Sequence, residues 1–211
     1  MTSHELWKKR FWFLVSVAYF VFGYMGCNYW LENYAHYYYI MDLPGERSIP
    51  MLPIFIFGYL LIYACLILLY IIFDDDYAYF RFTVGAFLWV TTIHYIIFFL
   101  YPVRMVYRPD LVGATDWVSR LAAWYFTLDY PNNCFPSLHV AYPYLGTLLL
   151  WPYKRKWAYA FAVMTIIIAT SVVLVKQHYI LDAVGAVVVT SLAFWAYKRL
   201  LSESVTDTHA N

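Results

Sequence analysis

Six stretches of this 211-residue chain run for helix-length distances without a single Asp, Glu, Lys or Arg: residues 11–31, 48–73, 82–103, 130–153, 157–175 and 183–197. A helix needs about 20 apolar residues to cross a hydrocarbon core of about 30 Å. Lipid offers no hydrogen bonds, so a single crossing segment must satisfy its own backbone as a helix. The last run reaches crossing length when extended back to His178. The pattern predicts an all-α integral membrane protein, a six-transmembrane-helix bundle. Its span cores lie near 11–31, 53–73, 82–101, 138–152, 157–175 and 179–197. Trp12, Trp30, Trp151, Trp157 and Trp195 fall near span ends, where indole rings favour the interface. The first run follows Lys8, Lys9 and Arg10, as a signal peptide would. It is longer than a secretory apolar region and lacks a small-residue cleavage site, so it stays a span.

Composition excludes the alternatives. The chain is 64% hydrophobic and 13% charged, whereas soluble domains are about 25% charged. Disorder needs the opposite balance. A net charge of +1 gives no field for nucleic acid, so none is expected as a partner. Cys27, Cys65 and Cys134 show neither metal-ligand spacing nor a disulfide framework. With the N-terminus inside, nine Lys and Arg fall on inner segments and five on outer ones, which predicts both termini cytoplasmic. Residues 1–201 read as a single membrane domain and 202–211 as a polar, frayed tail. The Tyr-rich loop 32–50 belongs at the outer interface. Within 117–126, Trp117, Leu121, Trp124 and Tyr125 recur at helical spacing, which predicts a short interfacial helix before span four.

Three outer segments carry chemistry. Arg104 and Arg108 follow span three, and guanidinium groups bind phosphate oxygens bidentately. Pro136, Ser137 and His139 open span four, where free backbone N–H groups and a hydroxyl suit an anion. Taken alone, Ser137 is equally an N-cap. Lys176, His178 and Asp182 lie between spans five and six. His178 and Asp182 are four apart, so a carboxylate can hold one ring nitrogen and leave the other free to act as nucleophile or base. Each segment alone has a bland reading as a cap or interfacial residue. Together, two histidines, a carboxylate and a cationic cradle suit phosphoryl transfer.

The ordered set Arg108-Pro109, Pro136-Ser137-Leu138-His139, and Ser171 with His178 and Asp182 resembles the phosphatidic acid phosphatase type 2 superfamily. That family is described by K-x6-RP, PSGH and SR-x5-H-x3-D. The forms FPSLHV and KQHYILD look most like its inositol phosphorylceramide synthase branch. The resemblance implies His178 as a nucleophile forming a phosphohistidine, Asp182 orienting it, and His139 as general acid and then base. It implies Arg108 and Ser137 as phosphate ligands, with Ser171 a weaker one. It implies no metal and no cofactor, because cationic side chains neutralise the charge. Tyr101, Leu138 and Val172 stand where the family has Lys, Gly and Arg, so two basic ligands are missing. Arg104 and Lys176 are the expected replacements. The implied partner is a lipid phosphate or phospholipid reached from the bilayer. The site would face the periplasm of a bacterial inner membrane, or the lumen of a eukaryotic endomembrane.

Other residues are left aside. Asp74, Asp75 and Asp76 read as a solvated inner loop, His94 as a neutral imidazole bonded within its helix, and His36 as part of the interfacial belt. Cys134 reads as structural, and Asn132 and Asn133 as undecided. A competing function is a transporter or anionic-lipid binder using the same basic cluster. It would tolerate loss of either histidine.

Overall fold

A computed structural model describes residues 2–73 and 76–208, with side chains through 202. Seven α-helices follow in order: α1 Ser3–Tyr34, α2 Ile56–Ile72, α3 Tyr77–Leu100, α4 Trp117–Leu128, α5 Leu138–Leu150, α6 Arg155–Leu174 and α7 Ile180–Thr208. Single 3₁₀ turns at Glu46–Ser48 and Pro53–Phe55 lead into α2. Among the described residues there is no strand, only an isolated bridge between Tyr39 and Val103.

The helix starts are written locally. Thr2 and Glu5 form a reciprocal capping box on α1. Asp76 accepts the Tyr79 N–H at 2.9 Å and Asp116 accepts the Ser119 N–H at 2.8 Å, capping α3 and α4. Asp76 is therefore a helix cap; Asp74 and Asp75 lie outside the described residues.

Among the described residues, five helices are long and apolar enough to cross a membrane: Ser3–Tyr34, Pro53–Ile72, Tyr77–Leu100, Arg155–Leu174 and Ile180–Ser202. Their outward faces stay apolar, with Phe22, Leu14, Ile67, Ile166 and Leu192 exposed. In water that surface would be unfavourable; in lipid it needs no cover.

The fourth expected span differs. Its helix, α5, has 13 residues, about 20 Å at ~1.5 Å per residue. Pro136 and Pro152 bracket it, and residues 130–137 form an irregular entrance loop. All but two of its side chains are buried, against α2, α3, α6 and α7. A central helix enclosed by protein need not match the lipid thickness. At the C-terminal end, α7 continues through Thr208. The short helix before α5 forms at 117–128, with Trp117 and Trp124 exposed and Ala122 and Tyr125 buried.

Candidate active site

The α3–α4 connection, the α4–α5 loop and the α6–α7 turn are joined by backbone bonds at one end of the bundle. Met105 N–H donates to Pro131 at 2.9 Å, Cys134 N–H to Val103 at 3.2 Å, and Ser137 N–H to Asp182 at 3.1 Å. Tyr179 sends its hydroxyl to the Arg104 carbonyl at 2.8 Å. Val103, Met105, Cys134 and Tyr179 form a small apolar core beneath these joints. The loops that carry the motif residues are thus anchored to one another.

His178 sits in the turn before α7, not on it. Its Nδ1 lies 2.9 Å from the Cys134 carbonyl and 3.3 Å from Asp182 Oδ2. A carbonyl oxygen can only accept, so Nδ1 carries a proton, and the neutral ring in this tautomer has its lone pair on Nε2. The expected carboxylate partner is present, but the shorter bond is to a backbone carbonyl that sequence could not reveal. Asp182 Oδ2 also accepts the Tyr179 N–H at 2.8 Å, closing the first turn of α7. One carboxylate therefore fixes both the helix start and the imidazole.

His139 is the second residue of α5. Its ring stacks on Tyr59 at 4.2 Å between centroids, and lies 5.7 Å from the His178 ring with a 58° tilt. At that separation one phosphate ester can touch both imidazoles. His139 and Asp129 line a cleft of about 210 Å³ whose other walls include Phe20, Val21, Ile62 and Leu128.

Arg108 donates Nη1 to the Asp129 carbonyl at 2.6 Å and Nη2 to Gln177 Oε1. Its guanidinium lies over the Phe126 ring. Among the described residues, Arg108 Nε, Gln177 Nε2 and Ser137 Oγ are buried without a partner, as is Asp182 Oδ1. Ser137 occupies the N-cap position of α5 but makes no capping bond. Three unpaired buried donors on residues flanking two imidazoles are what a bound oxyanion would satisfy.

The remaining expected ligands lie apart from this group. Arg104 pairs with Glu32 at 3.3 Å and covers the Tyr38 ring. Lys176 Nζ reaches the Glu46 carbonyl at 3.3 Å, beneath the Tyr107 ring. Burial depresses the Lys176 ammonium and the Glu46 carboxylate partly offsets this. Ser171 returns its hydroxyl to Ile167 at 2.7 Å and fills the notch at Gly58, where a Cβ would collide with it. Tyr101 stacks on Tyr39 at 4.0 Å, so the missing lysine position holds an aromatic pair. Asn132 bonds Glu32 and Asn133 bonds Asn28, both as donors. His94 gives Nδ1 to Val90 within its own helix at 2.8 Å, as expected.

Cys134, His178 and Asp182 bring one ligand atom each within 4.8 Å, a grouping that could hold a metal. The thiol does not suit it. Burial, with Asp182 beside it, pushes Cys134 well above the ordinary thiol range, and Sγ–H donates to Pro131 at 3.2 Å.

Gln177, Asp129, Tyr59 and the Cys134 carbonyl were missed in the sequence. Only Gln177, next to His178, carried any local signal. No curated protein and no solved structure matches the chain. A family model described as PAP2 superfamily matches residues 50–196, a span holding every one of the motif residues above. The chain belongs to the PAP2 superfamily.

Proposed function

We propose that this protein is an integral membrane lipid phosphate phosphatase or phosphotransferase working through a phosphohistidine at His178. The observation that carries the reading is the commitment of His178 Nδ1 to Cys134 and Asp182, which leaves Nε2 as the nucleophile. Nε2 attacks phosphorus as the ester P–O bond breaks, and His139 gives a proton to the departing alcohol oxygen. Arg108 and Ser137 hold the phosphoryl oxygens through their unpaired donors. Water, or an acceptor hydroxyl, then attacks phosphorus. His139 takes its proton, the N–P bond breaks and His178 is regenerated. The cation set is Arg108 first, with Arg104 and Lys176 as outer contributors to the field; Ser171 is a packing residue whose hydroxyl goes to Ile167. Neither metal nor cofactor enters these steps.

In this reading α5 completes six crossings from inside the bundle. Both termini are cytoplasmic, and the α2–α3 and α5–α6 turns share their side. The histidines face the periplasm or the lumen. The apolar walls of the His139 cleft support a lipidic ester. The FPSLHV and KQHYILD forms support the second chemistry, transfer of a phospho-head group in the manner of inositol phosphorylceramide synthases.

The test is phosphate release from a panel of lipid phosphates by purified protein in detergent with EDTA, comparing wild type with His178→Ala. Release that vanishes in the variant supports the phosphatase. No release, with product formed from phospholipid donors and alcohol acceptors, supports the transferase. Turnover that survives His178→Ala contradicts both; an absence of either turnover in the wild type points to a binder or transporter.

A further inference from the structure

Asp129 ends α4 with its side chain buried. Its carboxylate accepts the Tyr24 hydroxyl at 2.6 Å and the Tyr59 hydroxyl. Both donors are neutral, and among the described residues no Lys or Arg forms an ion pair with it. The Arg108 bond goes to the Asp129 backbone carbonyl instead. A buried carboxylate served only by neutral donors is an unfinished charge arrangement.

A group that can become the missing cation is close at hand. Tyr59 stacks on His139 with the ring planes 29° apart, and Asp129 and His139 line the same cleft. A phenol donating to a carboxylate gains electron density, and an electron-rich ring face favours a cation above it. A carboxylate at the same cleft interacts more favourably with imidazolium than with the neutral ring. That charged form is the one a general acid must hold before it gives up a proton.

We propose that Asp129 is a positioning residue for the acid step: through Tyr59 it holds the His139 ring and supports its charged form against the departing alcohol. The same residue fixes Arg108 by its carbonyl, so one α4 terminus sets both the phosphate ligand and the acid. The proposal rests on the phosphatase reading above.

The acid step has a signature that general damage lacks. An alkoxide needs a proton to leave, whereas a nitrophenolate does not. The comparison is therefore kcat/KM for dioctanoyl phosphatidate against 4-nitrophenyl phosphate, since kcat/KM reports only the steps through alcohol departure. Asp129→Asn is expected to lower the phosphatidate value on the order of 10- to 100-fold and the aryl value less than about threefold. Tyr59→Phe keeps the stacked ring and removes the phenol, so it gives the same selective loss at a smaller size. In a His139→Ala background, Asp129→Asn should cost nothing further. Equal losses on both esters, or additive losses in the double variant, would overturn the proposal while leaving the phosphatase reading intact. A wild type that cleaves neither ester overturns that reading, and this inference with it. Gel filtration and thermal melts show that the variants fold, and Tyr59→Phe carries the test if Asp129→Asn does not.

Discussion

Replacing Ser137 by Ala separates a ligand-binding hydroxyl from a structural one by the sign of its effect on stability. An N-cap serine contributes about 0.5–2 kcal/mol through a bond to the following N–H groups. Ser137 stands at that position with its backbone extended, but the bond is not made. Its Oγ is instead buried without a partner. Leaving such a hydroxyl unpaired costs about 1–3 kcal/mol. Ser137→Ala therefore loses no cap and removes a desolvated polar atom, a gain of about 1 kcal/mol. For a chain of this length that raises Tm by about 2–4 °C. Activity moves the other way, because one oxyanion donor is gone; kcat/KM for a lipid phosphate should fall about 100-fold. Tryptophan fluorescence melts in detergent and phosphate release on the same preparations read both quantities. A Tm lowered by several degrees would mean that Oγ caps α5 after all. Unchanged turnover would mean that the hydroxyl holds no phosphoryl oxygen. Either result refutes the reasoning.

Other outcomes follow from the same geometry. Asp182→Asn keeps an oxygen for the Tyr179 N–H but loses the charge beside His178 Nδ1; kcat should fall on the order of 10²–10⁴, with KM little changed, by steady-state kinetics. Cys134 is 1% exposed and burial pushes its thiol well above the ordinary range. The thiolate is thus scarcer at pH 8 than for a free cysteine, and maleimide mass labelling should modify Cys134 only after denaturation. Gly58→Val drives a side chain into Ser171, so the melt should show a loss of about 1–3 kcal/mol; an unchanged Tm would mean that α2 and α6 do not pack closely there.

The chain's architecture was legible where charge marks the boundary between lipid and water. Arg81 falls in the second turn of α3 and Arg104 four residues past its end, and Lys154 to Lys156 mark the start of α6. The length of α5 was not legible. Counting charges treats 130–153 as one run, while residues 131–137 are held as a loop by bonds to Val103, Met105 and Asp182. Those partners are distant in sequence. The site divides in the same way. His139, His178 and Asp182 meet as the motif spacing implies, and Arg108 and Ser137 flank them. Arg104 and Lys176 read as phosphate ligands by sign and position alone, but Glu32 and Glu46, far off in the chain, draw their side chains aside. Asp129 and Tyr59 left no mark, because a lone acid and one tyrosine among 23 gain meaning only when the fold sets them beside His139.

The most direct measurement traps the intermediate itself. Wild-type protein mixed with a lipid phosphate, quenched in base within milliseconds and digested, should yield a peptide carrying one phosphoryl group on His178. The adduct should be absent from His178→Ala and should accumulate when the second step is slowed in His139→Ala with an aryl phosphate donor. Turnover without any such adduct, or an adduct on another residue, would contradict the account.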